Sequence, residues 1–134
     1  MDSRDVAVLN KILHETTILS AFIDDCDLDA FLSDERTKRA VCMTLINIGE
    51  MVKLLSEQTK AMDVAIPWRQ VAGLRDVTVH GYQTLRMEDI WETVTVDIPV
   101  LREQIGKLLS LVGSELAKGK ATPVPKIFFC FRQN

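Results

Sequence analysis

At 134 residues, 47% hydrophobic and 26% charged, the chain fits a single domain able to bury a core and lies outside the composition of disordered segments. A formal net charge of -3 excludes a general nucleic-acid coat, which needs clustered Lys and Arg, and leaves room only for a local RNA site built by a few arginines. With no basic-then-apolar leader and no apolar run near the roughly 18 residues of a bilayer span, no membrane partner is expected and the cytoplasm is the default location.

The first segment, SRDVAVLNKILHETTILSAFI, repeats apolar residues at three- and four-residue intervals, which predicts a long amphipathic helix capped by Asp2 or Ser3. The stretch DDCDLDAFLSDER interrupts that pattern with acidic residues, and Leu28, Phe31 and Leu32 predict a short helical turn. Ser33, followed by Asp34 and Glu35, is the expected start of the next helix, with negative charge on its first turn. TKRAVCMTLINIGEMVKLLSEQT then lines up Val41, Leu45, Ile48, Val52 and Leu55 on one face. Gly49 sits mid-helix, where it costs about 1 kcal/mol of propensity, and close helix packing explains its presence.

IPWRQVAGLRDVTVH opens on Pro67, suited to a first helical position, and predicts a shorter helix to about His80, bent near Gly73. GYQT reads as a loop. MEDIWETVTVDIPVLREQIGKLLSLVGSEL resumes helical periodicity through Ile90, Trp91, Val94, Ile98, Leu101, Ile105, Leu108 and Leu109. A kink is expected at Pro99, which lacks a donor and clashes with the carbonyl four residues back. No alternating pair of apolar runs flanks a turn, so the expected fold is all-α, a four- to five-helix bundle over residues 1–117. Residues 118–134 form a separate tail, broken by Gly and Pro in KGKATPVP and ending in the apolar KIFFCFRQN, which must pack on the body, meet a partner, or be an aggregation liability, with packing or interface burial favoured.

Cys26, Cys42 and Cys130 leave one thiol unpaired in any intrachain scheme and form no CxxC motif, so they read as reduced, packed thiols. With only His14 and His80 beside them, neither a structural zinc nor any other cofactor is expected.

Arg75, His80 and Tyr82 are the set that carries chemistry. On one straight helix Arg75 and His80 stand about 140° apart with about 7.5 Å of rise, so their side chains splay. A shared site then needs a break in the helix, a long reach by Arg75, or a second copy of the segment from another chain. Asp76, four residues before His80, shares its face and is placed to orient the imidazole. Such a set suits RNA phosphodiester cleavage without a metal. Arg offers a planar fork to phosphate oxygens, His moves a proton near neutrality, and Tyr stacks on a base or meets a phosphate.

FLSDERTKRAV, LINIGEMVKLL, IPWRQVAGLRDVTVHGY and IWETVTVDIPVLREQI, in this order, resemble the HEPN domain family, and most closely its HepT-type toxins. The hallmark Arg, His and Tyr fall on Arg75, His80 and Tyr82, with four residues between the first two. The resemblance implies an antiparallel helical bundle that forms a two-fold homodimer, with Arg75 and His80 of both copies lining one cleft. It also implies a metal-independent endoribonuclease toxin, neutralised by a nucleotidyltransferase antitoxin that places AMP groups on Tyr82. The alternative it implies is a non-catalytic nucleotide- or protein-binding partner of that nucleotidyltransferase.

Two departures stand out. Asp76 occupies a position where similar proteins often carry Asn, which either repels RNA or orients His80. Arg86 adds positive charge where an acidic cap is common, and is a candidate for holding phosphate. Glu50, in NIGEM, resembles a recurrent family position near the cleft, with a solvated helix residue as the bland reading. Trp68 and Trp91 read as core, and His14 as structural.

Overall fold

A computed structural model describes residues 2–76 and 86–113, all of them helical or in the short links between helices. The expected loop at 81–84, the end of the helix before it, and the tail at 118–134 lie outside the described residues. In chain order the elements are α1 (Ser3–Ile23), α2 (Leu28–Ser33), α3 (Glu35–Val52), α4 (Glu57–Ala61) and α5 (Trp68–Ala72), which runs into a 3-10 turn at Gly73–Arg75. After the undescribed link come α6 (Met87–Glu92), a π-turn (Thr93–Asp97) and α7 (Ile98–Gly113). The all-α bundle expected from periodicity is the fold observed.

α1 lies along α3 and α7, α3 also meets α5 and the 3-10 turn, and α2 bridges α3 and α6. The apolar stripes explain this arrangement. Leu9, Ile12 and Leu19 of α1, Val41, Leu45, Ile48 and Val52 of α3, and Leu101 and Ile105 of α7 are wholly shielded from solvent and form one core. By length and composition alone, with a mean hydropathy of 1.3 along its most apolar stretch, α1 is apolar enough to cross a bilayer, contrary to the expectation that no run comes near that. In the fold its apolar stripe is used against α3 and α7.

Side-chain caps delimit the helices. Asp2 caps α1 by accepting from the Arg4 N–H, Asp27 caps α2 from Ala30, and Asp34, not Ser33, caps α3 from Thr37. Each carboxylate satisfies a donor that the first turn leaves open. Pro67 is the residue before α5 and not its first, with the helix starting at Trp68. Both tryptophans are packed as expected. The Trp68 indole donates to the Lys60 and Asp63 carbonyls at 2.9 and 3.2 Å, and Trp91 packs against Phe31 with ring centroids 5.2 Å apart and planes tilted by 40°.

The helix expected through 59 instead stops at Val52, and the cause is a buried acid that periodicity cannot reveal. Asp5, 2% exposed, accepts the Ser56 hydroxyl at 2.5 Å, the Thr59 hydroxyl at 2.6 Å and the Ser56 N–H at 3.2 Å. Ser56 in turn caps α4 through the Thr59 N–H. These bonds favour the ionised carboxylate and hold Asp5 below the usual range, the Ser56 hydroxyl contributing most. A depressed folded-state pKa stabilises above the unfolded value near 4 and is lost as pH falls through the folded one. Asp5→Asn is therefore expected to lose about 2 kcal/mol at pH 7, with the gap to wild type closing below about pH 4. Urea unfolding at pH 7 and pH 3 checks this.

Pro99 is accommodated by the π-turn just ahead of it. The Ile98 N–H reaches the Thr93 carbonyl, five residues back, and the widened turn spares the ordinary i-4 contact that a proline cannot make. The expected kink is thus an expanded turn. It carries Asp97, 3% exposed, whose carboxyl is pushed up to about 6 by burial and secondarily by Glu92. Here the sign reverses: the folded state binds the proton more tightly than the unfolded chain, so stability falls as pH rises from about 4 to about 6. Asp97→Asn is expected to gain about 2 kcal/mol on wild type between pH 4 and pH 7, read from paired melting curves.

Candidate active site

Arg75 closes the 3-10 turn that follows α5. Val71 and Leu74, both 0% exposed, pin that turn into the core and fix where the Arg75 backbone lies. Gly73 has a helical φ of -66°, and a Cβ added there would touch nothing, so the bend expected at this glycine does not depend on its being glycine.

Gly49 is the residue that the site requires. A Cβ on it would stand 2.6 Å from the Arg75 backbone nitrogen, 2.9 Å from the Ala72 carbonyl oxygen and 3.2 Å from that of Val71. The mid-helix glycine therefore lets the α3 backbone touch the backbone that carries Arg75, as close packing anticipated.

That contact sets the electrostatics. Glu50, next to Gly49, brings Oε1 to 3.4 Å from Arg75 Nε, and Asp76 brings Oδ1 to 3.6 Å from the same nitrogen. The other Glu50 oxygen lies 4.0 Å from Lys53 Nζ. These side chains are between 38% and 52% exposed, so solvent screens each pair to at most about 1 kcal/mol. Their effect is on geometry and local charge more than on stability. Two cations and two carboxylates alternate along a short path, Lys53, Glu50, Arg75 and Asp76, with no formal net charge.

Of the residues singled out from sequence, Arg75, Glu50 and Asp76 are brought together. Glu50 is a half-exposed residue of α3 that pairs with Arg75. Asp76 has Arg75 as its ion-pair partner. Arg86 is exposed and precedes α6 in an extended conformation, and it forms no ion pair with another described residue. His80 and Tyr82 lie outside the described residues. His14 is an exposed residue of α1. Sequence reasoning missed Lys53, whose only signal was its position three residues after Glu50 on α3.

Comparison with known proteins agrees with this frame. The family described as Ribonuclease HepT-like matches residues 12–108. The protein named "Putative RNase MJ0127" of Methanocaldococcus jannaschii is 34% identical over 116 residues, covering 86% of this chain and 96% of its own. "Probable ribonuclease HepT" of Thermococcus cleftensis is 33% identical over 100 residues, 75% of this chain and 91% of its own. No solved structure matches the chain.

Proposed function

The chain belongs to the ribonuclease HepT-like family, and from that premise we propose that it is a metal-independent endoribonuclease toxin working as a two-fold homodimer. In this reading Arg75 holds the scissile phosphate and His80 moves the proton, as base toward the 2′-hydroxyl or as acid toward the leaving oxygen. Tyr82 contacts the RNA. The observation that carries the reading is the Arg75, His80 and Tyr82 string in a chain of this family, with its first member on a turn that packs against Gly49 and its side chain paired with Glu50.

In this reading a second copy of the chain sets its own Arg75 and His80 across a common cleft. Neutralisation belongs to the same reading. A partner nucleotidyltransferase that adds AMP groups to Tyr82 would place phosphate charge and bulk near Arg75, where the substrate phosphate must sit. Such a pair operates in the cytoplasm, where its RNA is found.

Two carboxylates at the Arg75 guanidinium favour a second reading, a non-catalytic nucleotide- or protein-binding partner of the nucleotidyltransferase. One experiment separates the two. Purified chain incubated with RNA in excess EDTA is expected to cleave it, and chain co-expressed with the nucleotidyltransferase is expected to gain mass in AMP units and stop cleaving. Tyr82→Phe should block the gain in mass and keep the protein active in the presence of the partner. RNA left intact by the unmodified chain, with or without divalent ions, would leave only the second reading.

A further inference from the structure

Glu50 touches no substrate in the proposed reaction, yet its carboxylate lies between two cations. One oxygen is 3.4 Å from Arg75 Nε and the other is 4.0 Å from Lys53 Nζ. Gly49 brings α3 close to the Arg75 backbone, and the Glu50 and Arg75 side chains meet beside that contact. Lys53 is the C-cap residue just after α3, three residues beyond Glu50, and its only ion pair among the described residues is with Glu50.

With the closest approach of Glu50 at Nε, the guanidinium leans toward α3 and its terminal Nη pair is the edge left to meet a ligand. We propose that Glu50, steadied by Lys53, is the positioning residue that orients Arg75 toward the scissile phosphate, while Asp76 weakens phosphate binding by its charge. The inference rests on the ribonuclease reading and adds a division of labour to it. An acid that orients the arginine should show in the rate of the bound complex. An acid that only repels phosphate should show in affinity.

A charge-neutral site also predicts how the protein handles its substrate. With Arg75 and Lys53 each faced by a carboxylate, the phosphate enters against nearly balanced charge, and affinity depends weakly on salt.

The test is a double-mutant cycle on Glu50→Gln and Lys53→Met, with Asp76→Asn beside it. Glu50→Gln is expected to lower kcat about tenfold and, by removing a repelling charge, to lower KM about threefold. Asp76→Asn is expected to lower KM to a similar extent, and more than it changes kcat. Lys53→Met should lower kcat about threefold in the wild-type background and have little effect once Glu50 is Gln, because it acts through that residue. An equal loss in both backgrounds would mean that Lys53 meets RNA directly and would overturn the relay. A Glu50→Gln protein with unchanged kcat would overturn the positioning role.

A readout without RNA separates this inference from the ribonuclease reading. In 15N-arginine-labelled protein the Arg75 Nε–H, assigned by its disappearance in Arg75→Lys, should be ordered, with an order parameter near about 0.8, and fall below about 0.6 in Glu50→Gln. A wild-type chain that cleaves nothing removes the proposed reaction, and the order parameter then decides the positioning alone. No change in it on Glu50→Gln sinks the inference.

Discussion

Arg75→Ala is expected to lower kcat/KM for RNA cleavage by about 10²- to 10³-fold, the loss typical of removing one fixed group that stabilises developing charge on an oxyanion. Stability should hardly move, since the Arg75 side chain is 38% exposed and both its ion pairs are screened by solvent. Arg75→Lys tests the nature of the contact. A lysine keeps the charge but replaces a planar fork with a point donor, so recovery should be partial, within about tenfold of the alanine variant. His80→Ala should fall into the same range, because the proton transfer assigned to it is worth about 10²- to 10⁴-fold. Cleavage of a defined oligonucleotide, with melting curves run beside it, separates a lost site from a lost fold. An Arg75→Ala protein that cleaves at the wild-type rate would remove the phosphate role altogether.

Gly49→Val carries the largest expected effect on the fold. Its Cβ alone would lie within 3.0 Å of two backbone atoms, the Arg75 nitrogen at 2.6 Å and the Ala72 oxygen at 2.9 Å. Backbone does not give way as the end of a flexible side chain does, so α3 and the 3-10 turn must part. The expected cost is about 3 kcal/mol, at the upper end for overpacking, because valine adds two further methyl groups to a contact already too short. Gly49→Ala is the informative companion. Alanine improves helix propensity by up to about 1 kcal/mol, yet its Cβ meets the same backbone, so a net loss is expected. Activity should fall further than stability explains, since moving the turn pulls Arg75 away from Glu50. A stabilised and active Gly49→Ala protein would show that the close approach is not needed.

The contrast between those two substitutions follows from how each residue is held. Arg75 is fixed from beneath by Val71 and Leu74 and from the side by the α3 backbone, while its guanidinium remains partly in water. Gly49 lies within the contact itself. One change removes chemistry from a standing frame, and the other moves the frame.

Helix content was legible in the chain because apolar residues at three- and four-residue spacing must face a common core. Val41, Leu45, Ile48 and Val52 on α3 and Leu101 and Ile105 on α7 do so. The cap at Asp2 was legible for the same local reason, as a short acidic side chain ahead of a periodic run, whereas α3 is capped by Asp34, one residue past the Ser33 that the chain suggested. Family membership was legible too, from the order of segments around Arg75, His80 and Tyr82. The end of α3 was not. It depends on Asp5, 51 residues before Ser56, whose carboxylate binds Ser56 and Thr59 and draws the chain into a new turn. Nor does any periodicity show that Pro99 would be taken up by a π-turn, which depends on hydrogen bonding along the helix and not on which face is apolar.

By itself, then, the sequence determined the helical class, the candidate Arg75, and a glycine and a glutamate standing side by side on α3. Only the tertiary structure decided that Gly49 and Glu50 meet Arg75. The physical reason is that local propensity and hydrophobic period act within one element, whereas a 2.6 Å backbone clearance and a 3.4 Å ion pair belong to two elements brought together by the core.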